Sequence, residues 1–193
     1  MRDATFRIGD RSDPVAHSGA AFAVARDLIV TNRHVVEDAD PLRLSTWDGD
    51  AFEVEVAVVA PDHDLAALRT NRALGSTVEP AQRPAQRGDL VHVAGYPLGG
   101  EFGTVKGIVV DEVEGPALGE PAQVLRIRAV VLPGYSGGPV LDDDGRLVGV
   151  VYALGRTTRL ALAIPLLSLV RWLDDASLRW RGAGSDRPTT PGG

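Results

Sequence analysis

The sequence has no cysteine among its 193 residues, and its single lysine is Lys106. The absence of cysteine excludes disulfides and thiolate metal sites, so packing must stabilise the fold, as suits a reducing compartment. The formal net charge is -6, and the arginines are scattered rather than grouped in a basic run. We therefore expect no nucleic-acid partner.

Long hydrophobic runs are also missing. Residues 1–7 contain no apolar core of a signal peptide, and no later segment approaches the roughly 18 apolar residues that a membrane-spanning helix needs. The hydrophobic fraction of 44% and a mean hydropathy near zero are ordinary for a globular chain. We expect a cytoplasmic globular protein with no membrane contact.

Short apolar segments separated by turn residues fill most of the chain. In the clearest one, residues 52–58, three valines alternate with Glu53 and Glu55, and this period of two predicts one antiparallel strand that buries Val54, Val56 and Val58. About a dozen such segments without βαβ alternation predict an all-β fold of two antiparallel barrels or sandwiches packed together. A catalytic cleft is expected between them.

The same patterns divide the chain into successive parts. Leu166, Leu169, Val170 and Leu173 recur at helical spacing behind Pro165, which predicts one amphipathic helix near the end of the chain. The residues after it have the composition of a flexible linker, which suggests a further domain beyond. The expected parts are an N-terminal extension (1–14), an N-terminal barrel (15–80), a C-terminal barrel (81–165), the C-terminal helix (166–181) and the linker (182–193).

The most informative stretch is residues 132–139, LPGYSGGP. Glycine and proline disfavour helix and strand interiors, so this stretch predicts a tight loop that presents the hydroxyl of Ser136. The pattern also satisfies G-x-S-x-G, the nucleophile elbow of α/β-hydrolase esterases. That fold requires a histidine after the serine, whereas His17, His34, His63 and His92 all precede it, so the order favours a His-Asp-Ser triad.

Three blocks together resemble the trypsin-like serine proteases, most closely the bacterial HtrA-type branch. They are residues 31–36 (TNRHVV), 63–68 (HDLAAL) and 134–140 (GYSGGPV), and the resemblance covers roughly residues 15–180. It implies a chymotrypsin-like fold of two packed six-stranded antiparallel β-barrels and a serine endopeptidase activity. No PDZ domain is contained in these residues.

The resemblance implies a role for each matched residue. His34 corresponds to the general base, Asp64 to the acid that orients it and Ser136 to the nucleophile, with the backbone N–H groups of Gly134 and Ser136 as the oxyanion hole. Asp62 competes with Asp64. We prefer Asp64 because the apolar run that follows it would bury and fix its carboxylate.

Tyr135 departs from the pattern of activated digestive-type relatives, which carry an acid at this position, paired with a newly freed amino terminus. A tyrosine cannot form that ion pair. We therefore expect an activity that does not depend on this kind of zymogen cleavage.

Substrate preference follows from the residues expected to line the primary pocket. By the family pattern Val130, six residues before the serine, forms its base, and its walls come from Tyr152, Ala153, Leu154 and Ala161. None of these is acidic, so we expect small or medium aliphatic P1 residues rather than arginine or lysine.

No sequence motif indicates a cofactor or a metal site. P-loop, dinucleotide and H-E-x-x-H patterns are missing, and residues 142–145 (DDDG) predict a hairpin turn rather than a calcium loop. The expected partner is a protein or peptide substrate. The alternative function is a latent or non-catalytic protease-fold module that binds a peptide.

Overall fold

The computed structural model describes residues 1–9, 19–37, 42–60, 63–117, 120–154 and 160–180. Within these ranges the chain forms thirteen strands and two α-helices, with short 3-10 turns at Arg2–Ala4 and Pro97–Gly99. In chain order the elements are β1 (Thr5–Ile8), β2 (Gly19–Ala23), β3 (Leu28–Thr31), α1 (Arg33–Val36), β4 (Arg43–Ser45), β5 (Ala51–Glu53), β6 (Glu55–Val59), β7 (Ala66–Arg69), β8 (Leu90–Gly95), β9 (Gly103–Ala117), β10 (Glu120–Arg128), β11 (Pro139–Leu141), β12 (Leu147–Leu154), β13 (Ala161–Pro165) and α2 (Leu166–Asp175).

The described strands form two antiparallel units. The first is a seven-stranded sheet in the order β5-β4-β1-β2-β3-β7-β6, and the second is a closed barrel in the order β10-β13-β12-β11-β8-β9. The all-β class with one C-terminal helix is therefore confirmed, as is the six-stranded second barrel. The first unit differs from the expected closed six-stranded barrel, because its seven strands form an open sheet with β5 and β6 at the edges.

The first sheet begins inside the segment predicted to be an N-terminal extension. Residues 5–8 form β1, which pairs with both β2 and β4. Phe6 and Ile8 are buried in the core of this sheet, and burial of two large apolar side chains favours incorporation of so short a strand.

The single strand predicted over residues 52–58 is divided in two. The chain leaves the ladder at Val54, which is buried, and β6 then pairs with β7 through a register shift between Val56 and Val58. Val56 is 47% exposed, so the prediction that it is buried was wrong. A β-bulge of this kind breaks the period of two on which the prediction relied.

A shared core joins the two units. It contains Phe22 and Leu65 from the first unit, Leu147 from the second barrel, and Leu169 and Trp172 from α2. Helix α2 therefore packs across the junction with its apolar face, as its helical spacing predicted. No helix in the described part of the chain is long and apolar enough to cross a bilayer.

Candidate active site

His34 and Asp64 are brought together by the first sheet. His34 lies in α1, directly after β3, and Asp64 lies just before β7, the strand that pairs with β3. The two atoms His34 Nδ1 and Asp64 Oδ2 are 2.5 Å apart, and the backbone N–H of His34 donates to Asp64 Oδ1 at 3.0 Å. Because one carboxylate contacts both the ring and the backbone of the same residue, it fixes the orientation of the imidazole.

The environments of these two side chains differ. The Asp64 side chain is 5% exposed and that of His34 is 45% exposed, so the carboxylate is sheltered while part of the imidazole faces solvent. This is the arrangement in which a buried acid orients a histidine that remains accessible to a substrate. The competing residue Asp62 and the histidine His17 lie outside the described residues.

Asn32 is a further part of this arrangement that the sequence analysis did not single out. Its side chain is fully buried, and its Nδ2 donates to the backbone oxygen of Asp64 at 2.7 Å. This bond links the start of α1 to the segment that carries the carboxylate. The only signal in the sequence was an asparagine two residues before His34, and this pattern did not indicate the distant partner.

The loop that carries Ser136 lies against the first sheet. The backbone oxygen of Ser136 accepts a hydrogen bond from the N–H of Ala20 in β2 at 2.7 Å. A Cβ at the neighbouring Gly19 would lie 3.2 Å from that oxygen and 2.4 Å from Val35 Cγ1. Ser136 and the helix of His34 therefore meet at Gly19, which a larger residue would separate.

Ser136 itself is half-buried, and its hydroxyl makes no hydrogen bond to His34 or to any other described residue. The structure thus joins His34 to Asp64 directly and places Ser136 on the adjacent loop. In a structure without substrate, hydrogen bonds between catalytic groups are often long or unformed.

The backbone of this loop has the conformation that the glycines suggested. Gly134 has φ +98°, and a Cβ there would lie 2.0 Å from the backbone oxygen of Tyr96. The oxygen of Pro133 accepts from the N–H of Leu98 at 2.7 Å, and that of Tyr135 accepts from Gly138 at 2.9 Å.

These two bonds determine the direction of the amides that follow. In a trans peptide the N–H points opposite to the C=O, so the N–H groups of Gly134 and Ser136 face away from Leu98 and Gly138 respectively. Neither N–H donates to any oxygen of the described residues. Within the described residues, both amides are therefore left without an acceptor.

The residues expected to line the primary pocket have unlike environments. Val130 is 80% exposed, so the described residues do not enclose its side chain, and its place at the base of the pocket stays a prediction. Ala161 is fully buried, Tyr152 and Ala153 are half-buried, and the side chain of Leu154 lies outside the described part of the chain. The prediction relied on the position of Val130 six residues before the serine, and that spacing does not determine how exposed its side chain is.

Asp64, the candidate acid, also affects the pKa of Tyr152. Burial raises the pKa of its phenol, and the negative charge of Asp64 raises the pKa further. The tyrosine is therefore neutral at ordinary pH and contributes apolar surface on the side of β12.

The remaining predictions concern residues away from this site. The Asp142 carboxylate accepts hydrogen bonds from the N–H groups of Asp144 and Arg146, and Gly145 has φ +76°, which gives the hairpin turn expected there. His92 Nε2 lies 3.0 Å from Asp143 Oδ1 on the same face of the barrel. His92 therefore has a surface partner.

Comparisons with known proteins identify the family to which this fold is similar. The family described as "Trypsin-like peptidase domain" matches residues 19–150. The serine protease Rv3671c of Mycobacterium tuberculosis is 34% identical over 142 residues, which are 69% of this chain and 35% of that protein. The mitochondrial serine protease HTRA2 of Bos taurus is 33% identical over 188 residues, or 92% of this chain and 40% of that protein. The chain thus spans about a third to two fifths of the length of these relatives.

Solved structures show the same fold. Rv3671c protease in its inactive form superposes with a TM-score of 0.79 and 27% identity, covering 91% of this chain and 89% of that one. The active form from M. tuberculosis also gives 0.79, with 26% identity over 93% of this chain and 82% of that one. Because the two scores are equal, the overall superposition does not distinguish the two forms.

Proposed function

The chain belongs to the trypsin-like peptidase family, and from this premise we propose that it is a serine endopeptidase acting through an acyl-enzyme. Ser136 Oγ attacks the carbonyl carbon of the scissile peptide bond while His34 takes the hydroxyl proton on Nε2. Collapse of the tetrahedral intermediate breaks the C–N bond, and His34 returns the proton to the leaving amine. Water then attacks the acyl-enzyme through the same steps, which releases the carboxylic acid product and regenerates Ser136.

The contact between His34 and Asp64 is the observation that carries this proposal. A carboxylate at 2.5 Å from Nδ1 requires that this nitrogen hold the proton, which leaves Nε2 free to accept one. The same carboxylate stabilises the imidazolium that forms during the reaction. A histidine with only a structural role would need neither an exposed ring, as His34 has, nor a buried carboxylate beside it, as Asp64 provides.

The oxyanion of the intermediate is assigned to the amides of Gly134 and Ser136. Both N–H groups are free of partners among the described residues and flank the proposed nucleophile. Two fixed donors at this position stabilise the charge that develops on the carbonyl oxygen, and loss of one such donor typically costs about 2.7 to 4 kcal/mol.

The proposal includes a preference for small or medium aliphatic P1 residues. The described wall residues Tyr152, Ala153 and Ala161 offer no acid to a lysine or arginine side chain. A charged side chain desolvated there without a partner is disfavoured, whereas an alanine or valine side chain is not. The natural substrate is proposed only as a protein or peptide.

A second candidate, a latent protease module that binds a peptide without cleaving it, is favoured by one observation. The Ser136 hydroxyl makes no hydrogen bond to His34 within the described residues. In that case a partner or ligand would have to complete the site.

Cleavage of a peptide library tests the proposal. We expect the wild-type chain to hydrolyse peptides with alanine or valine at P1 with a higher kcat/KM than matched arginine peptides, and Ser136→Ala to hydrolyse none. A clear arginine preference contradicts the assigned specificity. Folded wild-type protein that binds peptides and cleaves none supports the latent module.

A further inference from the structure

The side chain of Tyr135 lies in the second barrel, although the residue is next to the proposed nucleophile. It is 3% exposed and belongs to the apolar core of that barrel. Two glycines, Gly95 at the end of β8 and Gly103 at the start of β9, are direct partners in the strand register. A Cβ at Gly95 would lie 2.9 Å from Tyr135 Cδ1, and a Cβ at Gly103 would lie 3.3 Å from Tyr135 Oη. The paired glycines therefore form a slot that the tyrosine ring fills.

The turn that follows β8 also holds the backbone of the two residues before Tyr135. Tyr96 donates its N–H to the oxygen of Gly134 at 3.1 Å, and Leu98 donates to the oxygen of Pro133 at 2.7 Å. The same strand end thus contacts the ring of Tyr135 and the two residues before it. Gly95 lies close to the ring and the Cα of Tyr135 and also to the oxygen of Gly134, so the ring and this backbone pack against the same residue.

We propose that Tyr135 is a positioning residue, and that its ring, seated in the slot between Gly95 and Gly103, holds the Gly134 and Ser136 amides in the geometry that binds the oxyanion. This inference rests on the proposed peptidase function. It adds that the anchor of the loop is the shape of an uncharged ring.

Two further observations agree with an anchor that works by shape. The Tyr135 hydroxyl has no hydrogen-bond partner among the described residues. Burial raises the pKa of the phenol, so the ring stays neutral over the ordinary pH range. The hydroxyl should therefore be dispensable, whereas the space around it should not.

A double-mutant cycle in the full chain tests the fit. Gly103→Ala places a methyl group 3.3 Å from the hydroxyl, which must then move by a few tenths of an ångström, while its contacts to Pro97 at 3.5 Å are ordinary. Tyr135→Phe removes the atom that the methyl group meets. The four proteins are compared by kcat and KM on one peptide substrate, by the affinity for a peptidyl boronate that mimics the tetrahedral intermediate, and by Tm.

We expect Gly103→Ala to lower kcat and boronate affinity about threefold to tenfold with KM nearly unchanged, since a misplacement of about 1 Å costs about 100-fold. Tyr135→Phe combined with Gly103→Ala should recover most of this loss, measured against the Tyr135→Phe single variant. Gly75→Ala is the matched control, because a Cβ there meets nothing within 4 Å. If Tyr135 and Gly103 had only a structural role, the variants would change Tm without lowering kcat at an unchanged KM.

An unchanged kcat in Gly103→Ala, or a loss that Tyr135→Phe does not relieve, overturns the inference while leaving the peptidase function intact. If the wild-type chain cleaves nothing and binds no boronate, the proposed function fails instead. The inference is then decided by NMR relaxation of the Gly134 amide. The ring anchor predicts a rigid amide in wild type and Tyr135→Phe and exchange broadening in Gly103→Ala, and equal relaxation in all three contradicts it.

Discussion

At the scale of single residues, Asp64 contributes to the candidate site through three atoms. Its two carboxylate oxygens contact the ring and the backbone of His34, and its backbone oxygen accepts from Asn32. The motif around each of these residues was recognisable in the sequence. The bond from Asn32 was not, because a side-chain amide has many possible partners and nothing local selects one 32 positions away.

Asp64→Asn should lower kcat by about 10⁴-fold while the protein remains folded. The amide that replaces the carboxylate cannot stabilise the imidazolium and favours the wrong tautomer of His34. Asp143→Asn is the matched control, since Asp143 contacts His92 on the surface of the barrel and should leave kcat unchanged. Steady-state kinetics and circular dichroism measure both changes, and equal activity of the two variants would contradict the role of Asp64.

All three tyrosines of the chain should titrate above the ordinary value near 10. Burial raises the pKa of Tyr96 to about 12. Well below pH 10 the phenols are protonated in both the folded and the unfolded chain. Between pH 10 and 12 the unfolded chain loses protons that the folded chain keeps, so the free energy of unfolding falls as pH rises through this range. Spectrophotometric titration at 295 nm measures the phenol pKa values on which this fall in stability depends. A tyrosine that ionises near pH 10 in the folded protein contradicts the burial.

At the scale of elements, the loop from Pro133 to Gly138 is fixed by backbone contacts that the sequence indicated only in part. The glycines and the proline predicted a tight loop, and Gly134 does adopt a positive φ. Its contact with the oxygen of Tyr96 is a tertiary feature that no local pattern contains. The same limit explains β1, which at Thr5–Ile8 is too short for a clear alternation.

Gly134→Ala should abolish most of the activity, whereas Gly145→Ala should not. Both glycines have a positive φ, +98° and +76°, so each alanine carries a backbone strain of about 1–2 kcal/mol. Only at Gly134 would the new methyl group also meet a backbone oxygen, at 2.0 Å, which displaces the loop. We expect kcat/KM to fall about 100-fold or more in Gly134→Ala and to stay near wild type in Gly145→Ala. Similar kinetics of both variants would contradict this account of the loop.

At the scale of the whole molecule, the candidate site depends on contacts between the two β units. The Ser136 oxygen binds Ala20, and two side chains reach across: Tyr96 Oη donates to the oxygen of Thr5 at 2.9 Å and Arg7 Nη1 to the oxygen of Gly99 at 3.0 Å. The two-unit fold was predictable from strand patterns and family resemblance. The open first sheet was not, because its closure depends on which edge strands find partners.

Tyr96→Phe should destabilise the protein by about 1–3 kcal/mol, because it leaves the buried oxygen of Thr5 without its donor. Tyr135→Phe is the matched control, since this tyrosine is equally buried at 3% exposure but its hydroxyl has no described partner. Denaturant unfolding monitored by tryptophan fluorescence compares the two. An equal loss in both variants would show that the bond between the units contributes nothing.

The most direct test of the central claim is labelling with a fluorophosphonate, followed by mass spectrometry of the digested protein. The proposed mechanism predicts one covalent adduct on Ser136 and no adduct in Ser136→Ala. It also predicts a strongly slowed reaction in Asp64→Asn. A folded wild-type chain that remains unlabelled, or an adduct on another residue, would contradict the assignment of Ser136, His34 and Asp64 as the catalytic residues of a serine endopeptidase.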